Sequence, residues 1–202
     1  MMSATSNDYT VSFDAAWRVL PTADEDAASV IHDLVEALNV EDPAADGLRR
    51  GLEAVTALSR ELAPGQRNSW ALVRDPSSGA VDALLSTRVS LVGPSAIDDY
   101  RARIADGQHG DPEIRVVNRT VSERELAVGT ALIVHDFTLH EDAEGLIDPA
   151  LERAVVALFL SGTNKLVEFY LVTQNLALFD DIAEYLVSIV SGHGADIDQE
   201  QL

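Results

Sequence analysis

Four side chains could do chemistry together if the strands that carry them lie side by side: Arg88, Arg115, Arg119 and His135. Alternation from Val81 to Leu91 puts Asp82, Ser86, Arg88 and Ser90 on a wet face. From Glu113 to Val121 it puts Arg115, Val117 and Arg119 on one face and Ile114 and Val116 on the other. Guanidinium groups along such a face form a groove able to hold an anion, with His135 beside them. The plainer reading pairs these arginines with Asp82, Glu113 or helix carboxylates, which the chain supplies in excess.

Other chemistry finds less support. His135 and His140 lie five apart on one predicted strand, and an odd separation sends them to opposite faces, so no shared metal is expected. His32, His109 and His193 have no partner at ligand spacing. With Gly145 at the sixth position of a calcium loop, Asp142, Glu144 and Asp148 fall on ligand positions, but His140 and Leu151 occupy the first and twelfth. Gly162 to Lys165 lacks the second glycine and the following helix of a phosphate loop. There is no Gly-x-Ser-x-Gly elbow and no Ser-x-x-Lys pair. Zero cysteines exclude thiolate metal sites, disulfides and cysteine nucleophiles. No catalytic residue, metal or cofactor is therefore assigned, and the reading leans away from an enzyme.

The elements that must position the arginines centre on Leu151 to Gly192. Ala154–Leu160 and Lys165–Thr173 are apolar runs rich in β-branched and aromatic residues, joined by the turn-tolerant Ser161, Gly162, Thr163 and Asn164. That is a hairpin, covered on both faces. A helix follows from Leu176, with Leu178, Ile182, Tyr185 and Ile189 on one side and Gly192 at its end. Upstream, Tyr9 to Phe13 reads as an edge strand, with Trp17 and Leu20 as anchors. Thr22 and Glu25 match a capping box ahead of a helix with Val30, Ile31, Leu34, Val35 and Leu38, which ends before Pro43. A second helix carries Leu48, Leu52, Val55, Leu58 and Leu62 and stops at Pro64 and Gly65; the two helices are expected to pair. Trp70 to Arg74 is a short strand, Pro76 to Gly79 a turn, and Ile97, Tyr100 and Ile104 mark one side of a short helix opened by Pro94 and Ser95. After a loop at Gly107, Gly110 and Pro112, a turn at Ser122, Glu123 and Arg124 separates the arginine strand from a long one running from Leu126 to Leu139.

At 202 residues, 47% hydrophobic and 24% charged, the chain is expected to fold as a single globular domain. Within it lie a helical pair at 22–63, a sheet core at 66–192 and a polar tail at 195–202. The fold class is α+β, with a mostly antiparallel sheet of six to seven strands, helices packed on it, and a final hairpin followed by a C-terminal helix. The formal charge of −20 makes nucleic acid a poor partner, and no apolar run is long enough for membrane insertion. Met1 to Thr10 is neither basic nor apolar, which leads to a cytoplasmic expectation. Eight acids and no Lys or Arg lie between Val19 and Leu48, and fourteen acids follow from Glu125 onward against Arg153 and Lys165. These acidic stretches serve solubility or a salty cytoplasm on the plainer reading, and a basic protein partner on the other.

In element order the chain resembles the PsbP-like fold superfamily. The resemblance rests on Trp70 to Pro76 with Gly79, on the hairpin ending in Leu171, Val172 and Thr173, and on Phe179, Ile182, Leu186 and Ile189; it covers roughly residues 66 to 192. It implies an antiparallel sheet between helices and a binding role. Members of the superfamily are mostly binding proteins: photosystem subunits, nuclear-import adaptors, lipoproteins and secretion chaperones. The helical pair from Thr22 to Leu62 departs from the family pattern, and the lipoprotein cysteine is missing. The sequence thus leads to three readings: a non-enzymatic protein-binding or chaperone-like adaptor, a small-molecule or anion binder or unrecognised enzyme using the arginine face, and a structural homodimer through the helix pair.

Overall fold

The computed structural model describes residues 2–6, 9–13, 15–22, 25–61, 68–105, 114–140 and 150–191. The loop at 107–112, the acidic loop at 141–149, the helix stop at Pro64 and Gly65, and the tail at 195–202 lie outside them. The class is α+β, with seven strands in one antiparallel sheet, a separate two-stranded sheet and four α-helices among the described residues. The chain divides into two compact units, Met1–Arg88 with Ser188–Leu202, and Val89–Val187.

In the first unit, β1 (Met2–Ser6) and β2 (Tyr9–Phe13) form their own two-stranded sheet, so Tyr9–Phe13 is a strand but pairs with a segment not expected to be one. β3 (Trp17–Val19), β4 (Asn68–Leu72) and β5 (Ala83–Leu91, of which residues through Arg88 belong to this unit) pair in that order. Helix α1 is Ala27–Leu38. Only half of the expected box forms: the Thr22 N–H donates to Glu25 Oε2 at 2.7 Å, but the Thr22 hydroxyl donates to the same oxygen at 2.9 Å instead of accepting from the Glu25 N–H, and the helix opens later, where Asp26 accepts from the Ala28 N–H at 3.2 Å. It closes on Asn39 in the left-handed region at φ 49°. Helix α2 (Asp42–Glu61) begins earlier than Leu48, because Pro43 sits in its first turn, where a missing N–H costs nothing. Leu48, Leu52, Ile31 and Val35 share a core with Leu20, Ala71, Val73 and Leu84.

The predicted wet face of β5 is corrected here. Ala83 through Thr87 are all buried, and the exposed positions are Val89 and Leu91. Ser86 is buried because its hydroxyl meets Ser69 Oγ at 2.7 Å, which in turn meets Ser59 Oγ at 2.6 Å. Each hydroxyl can donate one hydrogen bond and accept others, so the chain satisfies buried polar groups without water or charge.

The second unit contains α3 (Ala96–Ala105), β6 (Ile114–Leu126), β7 (Gly129–His140), β8 (Leu151–Leu160), β9 (Lys165–Thr173) and α4 (Ile182–Val190, of which residues through Val187 belong to this unit). Its strands lie in the order β9-β8-β7-β6. The hairpin and its turn fall where expected, with Gly162 at φ 73°. Helix α4 starts at Ile182 rather than near Leu176, because Asp181 accepts from the N–H groups of Ala183 and Glu184, both at 2.9 Å, and so caps the helix there. No turn interrupts 122–124. Pairing runs on through Ser122↔Ile133 and Arg124↔Ala131 to Leu126↔Gly129, and the chain reverses at Ala127 and Val128. β6 ends the strand order, so polar residues there meet solvent without breaking the strand.

Successive residues of β6 reach opposite faces of this sheet. Glu123 receives Arg101 of α3, and Arg124 donates to Glu184 of α4 at 3.0 Å. Tyr100, Leu132, Ala157, Phe159 and Leu166 form the core beneath α3. Gly129 opens β7 at φ 153°, and a Cβ placed there would lie 2.1 Å from the Phe159 carbonyl oxygen. Gly129→Ala is expected to lower stability by about 3 kcal/mol or more, read as a reduced urea midpoint at unchanged m-value. A midpoint within error of wild type would show that the β7–β8 approach can relax.

Candidate functional site

Three neighbouring strands place one charged row under α3. Arg119 of β6 is opposite Asp136 of β7, and Asp136 is opposite Arg153 of β8. The Asp136 side chain is fully buried, and those of Arg119 and Arg153 are each 14% exposed. Arg119 donates from Nε at 3.0 Å and from Nη2 at 2.7 Å to Asp136 Oδ2. Arg153 donates from Nε to Oδ1 at 2.9 Å and from Nη2 to Oδ2 at 2.7 Å. A third bond, from Arg119 Nη1 to the Ile104 carbonyl at 3.3 Å, fastens the end of α3 to the row. Burial alone would raise the Asp136 pKa, but the bonds and charges of Arg153, then of Arg119, outweigh it and hold the carboxyl below the usual aspartate range.

Two residues further along the strands, on the same face, the row is Val121, Val134, Val155 and Tyr170. Two further again it is Glu123, Leu132, Ala157 and Glu168. Tyr100 of α3 and Tyr170 both donate their hydroxyls to Glu168 Oε1, each at 3.1 Å. Burial first, then Tyr170 and Glu168, push the Tyr100 phenol far above its ordinary pKa, so it stays a donor. The Arg103 guanidinium lies 4.9 Å from the centre of the Tyr100 ring, and the Tyr100 edge meets Phe159 at 5.9 Å. Tyr100, Arg103 and Ile104 follow i, i+3, i+4 spacing and therefore share one side of α3.

Between that side and the sheet is a cavity of about 170 Å³, lined by Tyr100, Arg103, Ile104, Arg119, Val134, Arg153, Val155, Glu168 and Tyr170. Three guanidiniums and a carboxylate line it, with Asp136 behind. A site of this kind can hold an anion by charge-assisted hydrogen bonds against an apolar floor.

Of the residues picked out from the sequence, Arg119 lines this cavity. Arg115 and His135 lie on the opposite face of the sheet. A bulge between Val116 and Asn118 makes Arg115 pair with Leu139 and Arg119 with Asp136, three residues apart on β7, so the two arginines point opposite ways. His135 bonds Glu152 Oε1 at 2.9 Å there and tilts over Phe137 at 5.3 Å. Arg88 belongs to the first unit and is half-buried. Sequence reasoning missed Tyr100, Arg103, Asp136, Arg153, Glu168 and Tyr170. The available signal was a charge inside an apolar strand at Asp136, Arg153 and Glu168, since a covered strand must pair such a residue. Among the described residues no group of three His, Asp or Glu side chains could hold a metal ion, and no helix is long and apolar enough to cross a membrane.

No protein-family model and no curated protein matches the chain. Among solved structures it is similar to the solution structure of cyanobacterial PsbP (CyanoP) from Synechocystis sp. PCC 6803. Sequence identity is 13%, the TM-score is 0.49, and the match covers 94% of this chain and 88% of that one.

Removing the Asp136 charge leaves two mostly buried guanidiniums facing each other. Asp136→Asn is expected to cost about 3–5 kcal/mol in chemical denaturation. Because the folded pKa of Asp136 is lowered, its contribution to stability is complete above the unfolded aspartate value of about 4 and disappears as pH falls through the folded value. Wild-type stability should therefore decline through that acid range more steeply than that of the variant; parallel pH profiles would contradict the pairing.

Proposed function

We propose that this chain is a binding protein whose second unit takes up a small organic anion between α3 and the sheet. The observation that carries the reading is the charge balance of the cavity: three guanidiniums converge there against two carboxylates, in a chain whose net charge is −20. Arg119 and Arg153 are already committed to Asp136, whereas Arg103 has no ion pair among the described residues and stands at the cavity with its guanidinium carbon 4.9 Å from the centre of the Tyr100 ring. An incoming carboxylate meets a donor fork held near the ring by a cation–π contact, which lowers the entropy lost on binding. The volume limits the guest, since a cavity of about 150 Å³ holds a molecule the size of benzene. The geometry bears on this reading rather than on the adaptor or helix-pair dimer readings of the sequence.

The test is thermal unfolding of the whole chain against a panel of short carboxylates and inorganic phosphate, followed by calorimetry of any positive. A ligand at one hundred times its Kd adds about 2.7 kcal/mol, and hence roughly 5–10 °C for a protein of this size. Arg103→Ala should weaken that binding at least about tenfold while the ligand-free protein melts within a few degrees of wild type, as the lost cation–π contact is worth about 0.5–1 kcal/mol. A panel in which no anion shifts the wild type would overturn the proposal.

A further inference from the structure

The cavity runs from a charged mouth to an apolar floor. Arg103 is exposed, whereas Val134 and Val155, opposite each other on β7 and β8, are each 5% exposed. Tyr170 continues the valine row on β9, and Tyr100 and Ile104 line the space from α3. A carboxylate that stops at Arg103 keeps part of its hydration, so it gains a charge-assisted bond without the full cost of burying a charge. A second anionic group, carried further in, meets different terms. Arg119 and Arg153 already hold Asp136, so that group would compete with the aspartate, and it would share the cavity with Glu168.

Size and walls set what fills the inner part. A cavity of about 150 Å³ takes a benzene ring, and this one is about 170 Å³. Its walls hold the rings of Tyr100 and Tyr170 beside the Arg103 guanidinium, so a ring guest gains aromatic and cation–π contacts that an alkyl chain of equal area does not. A ring is also rigid, and ordering it costs less than ordering a chain of the same carbon number. We infer that the anion is a small aromatic monocarboxylate of the benzoate class, with its ring over Val134 and Val155 and its carboxylate at the mouth on Arg103. Acetate leaves the floor uncovered, and a benzenedicarboxylate drives a second charge inward.

This inference rests on the anion-binding reading, and the experiment separates the two. Calorimetry of the whole chain compares benzoate with acetate, hexanoate, cyclohexanecarboxylate, terephthalate and benzamide, while protein-observed NMR follows the methyl groups of Val134 and Val155. Benzoate is expected to bind about tenfold or more tighter than acetate or terephthalate, and about threefold or more tighter than hexanoate or cyclohexanecarboxylate. Its ring current should displace both sets of valine methyl signals far more than acetate does. Benzamide keeps the ring and lacks the charge, so it should bind about tenfold or more weaker, and Arg103→Ala should bring benzoate and benzamide to the same low affinity. Benzoate that binds no tighter than acetate or cyclohexanecarboxylate, or that leaves the valine signals in place, would overturn the aromatic inference and leave the anion site standing. Benzamide that binds as tightly as benzoate, or a failure of every carboxylate to bind, would overturn both.

Discussion

One buried carboxylate ties together much of the second unit. Asp136 has no contact with solvent, so its charge is tolerable only where donors surround it, and those donors come from the strands on either side. This couples register to electrostatics: sliding β6 or β8 by one residue would swing Arg119 or Arg153 to the other face and leave a charge buried alone. Apolar strands such as Ala154–Leu160 could slide with smaller loss, because one branched side chain replaces another. The bulge at Val117 acts in the same way, since the extra residue brings Arg119, rather than its neighbour, to the face where Asp136 points. The bond from Arg119 to the Ile104 carbonyl then carries the constraint into α3, the roof of the cavity.

The first unit handles buried polarity differently. Ser59, Ser69 and Ser86 satisfy one another across α2, β4 and β5, with no charge to desolvate and no counter-ion to position. Such a chain is inert, because every oxygen meets a small neutral partner. The Arg119–Asp136–Arg153 row is the opposite case, with two guanidiniums on one buried carboxylate, placed beside open volume. The contrast is one of burial chemistry: neutral hydroxyls in the first unit, paired charges in the second.

Much of the fold was legible because it follows from apolar spacing. The hairpin and helices α1, α2 and α3 all show in the pattern of Val, Leu, Ile and aromatic residues, and the left-handed turn at Gly162 in the Ser-Gly-Thr-Asn stretch. What could not be read has a physical cause in each case. Ser86 looks wet by type and is buried because Ser69, 17 residues before it, meets it in space and is itself met by Ser59. Ser122, Glu123 and Arg124 look like a turn, yet on the last strand of the order polar residues can face solvent or reach α3 and α4. The candidate site suffered most, since strict alternation puts Arg115 and Arg119 together and a single bulged residue separates them. Arg153 and Glu168, embedded in apolar runs, were the better clues, because a charge that survives in a covered strand requires a partner.

The acidity of the whole chain constrains what the cavity can attract. A net charge of −20 repels anions over roughly the Debye length, about 8 Å at physiological salt, so a multiply charged guest pays for its approach in proportion to its charge. A site with a single excess positive charge recovers little of that for a polyanion, which would also bury negative charge beside Asp136 and Glu168. A small, singly charged guest would meet the least of this repulsion, because the long-range cost rises with charge while Arg103 acts only at contact distance.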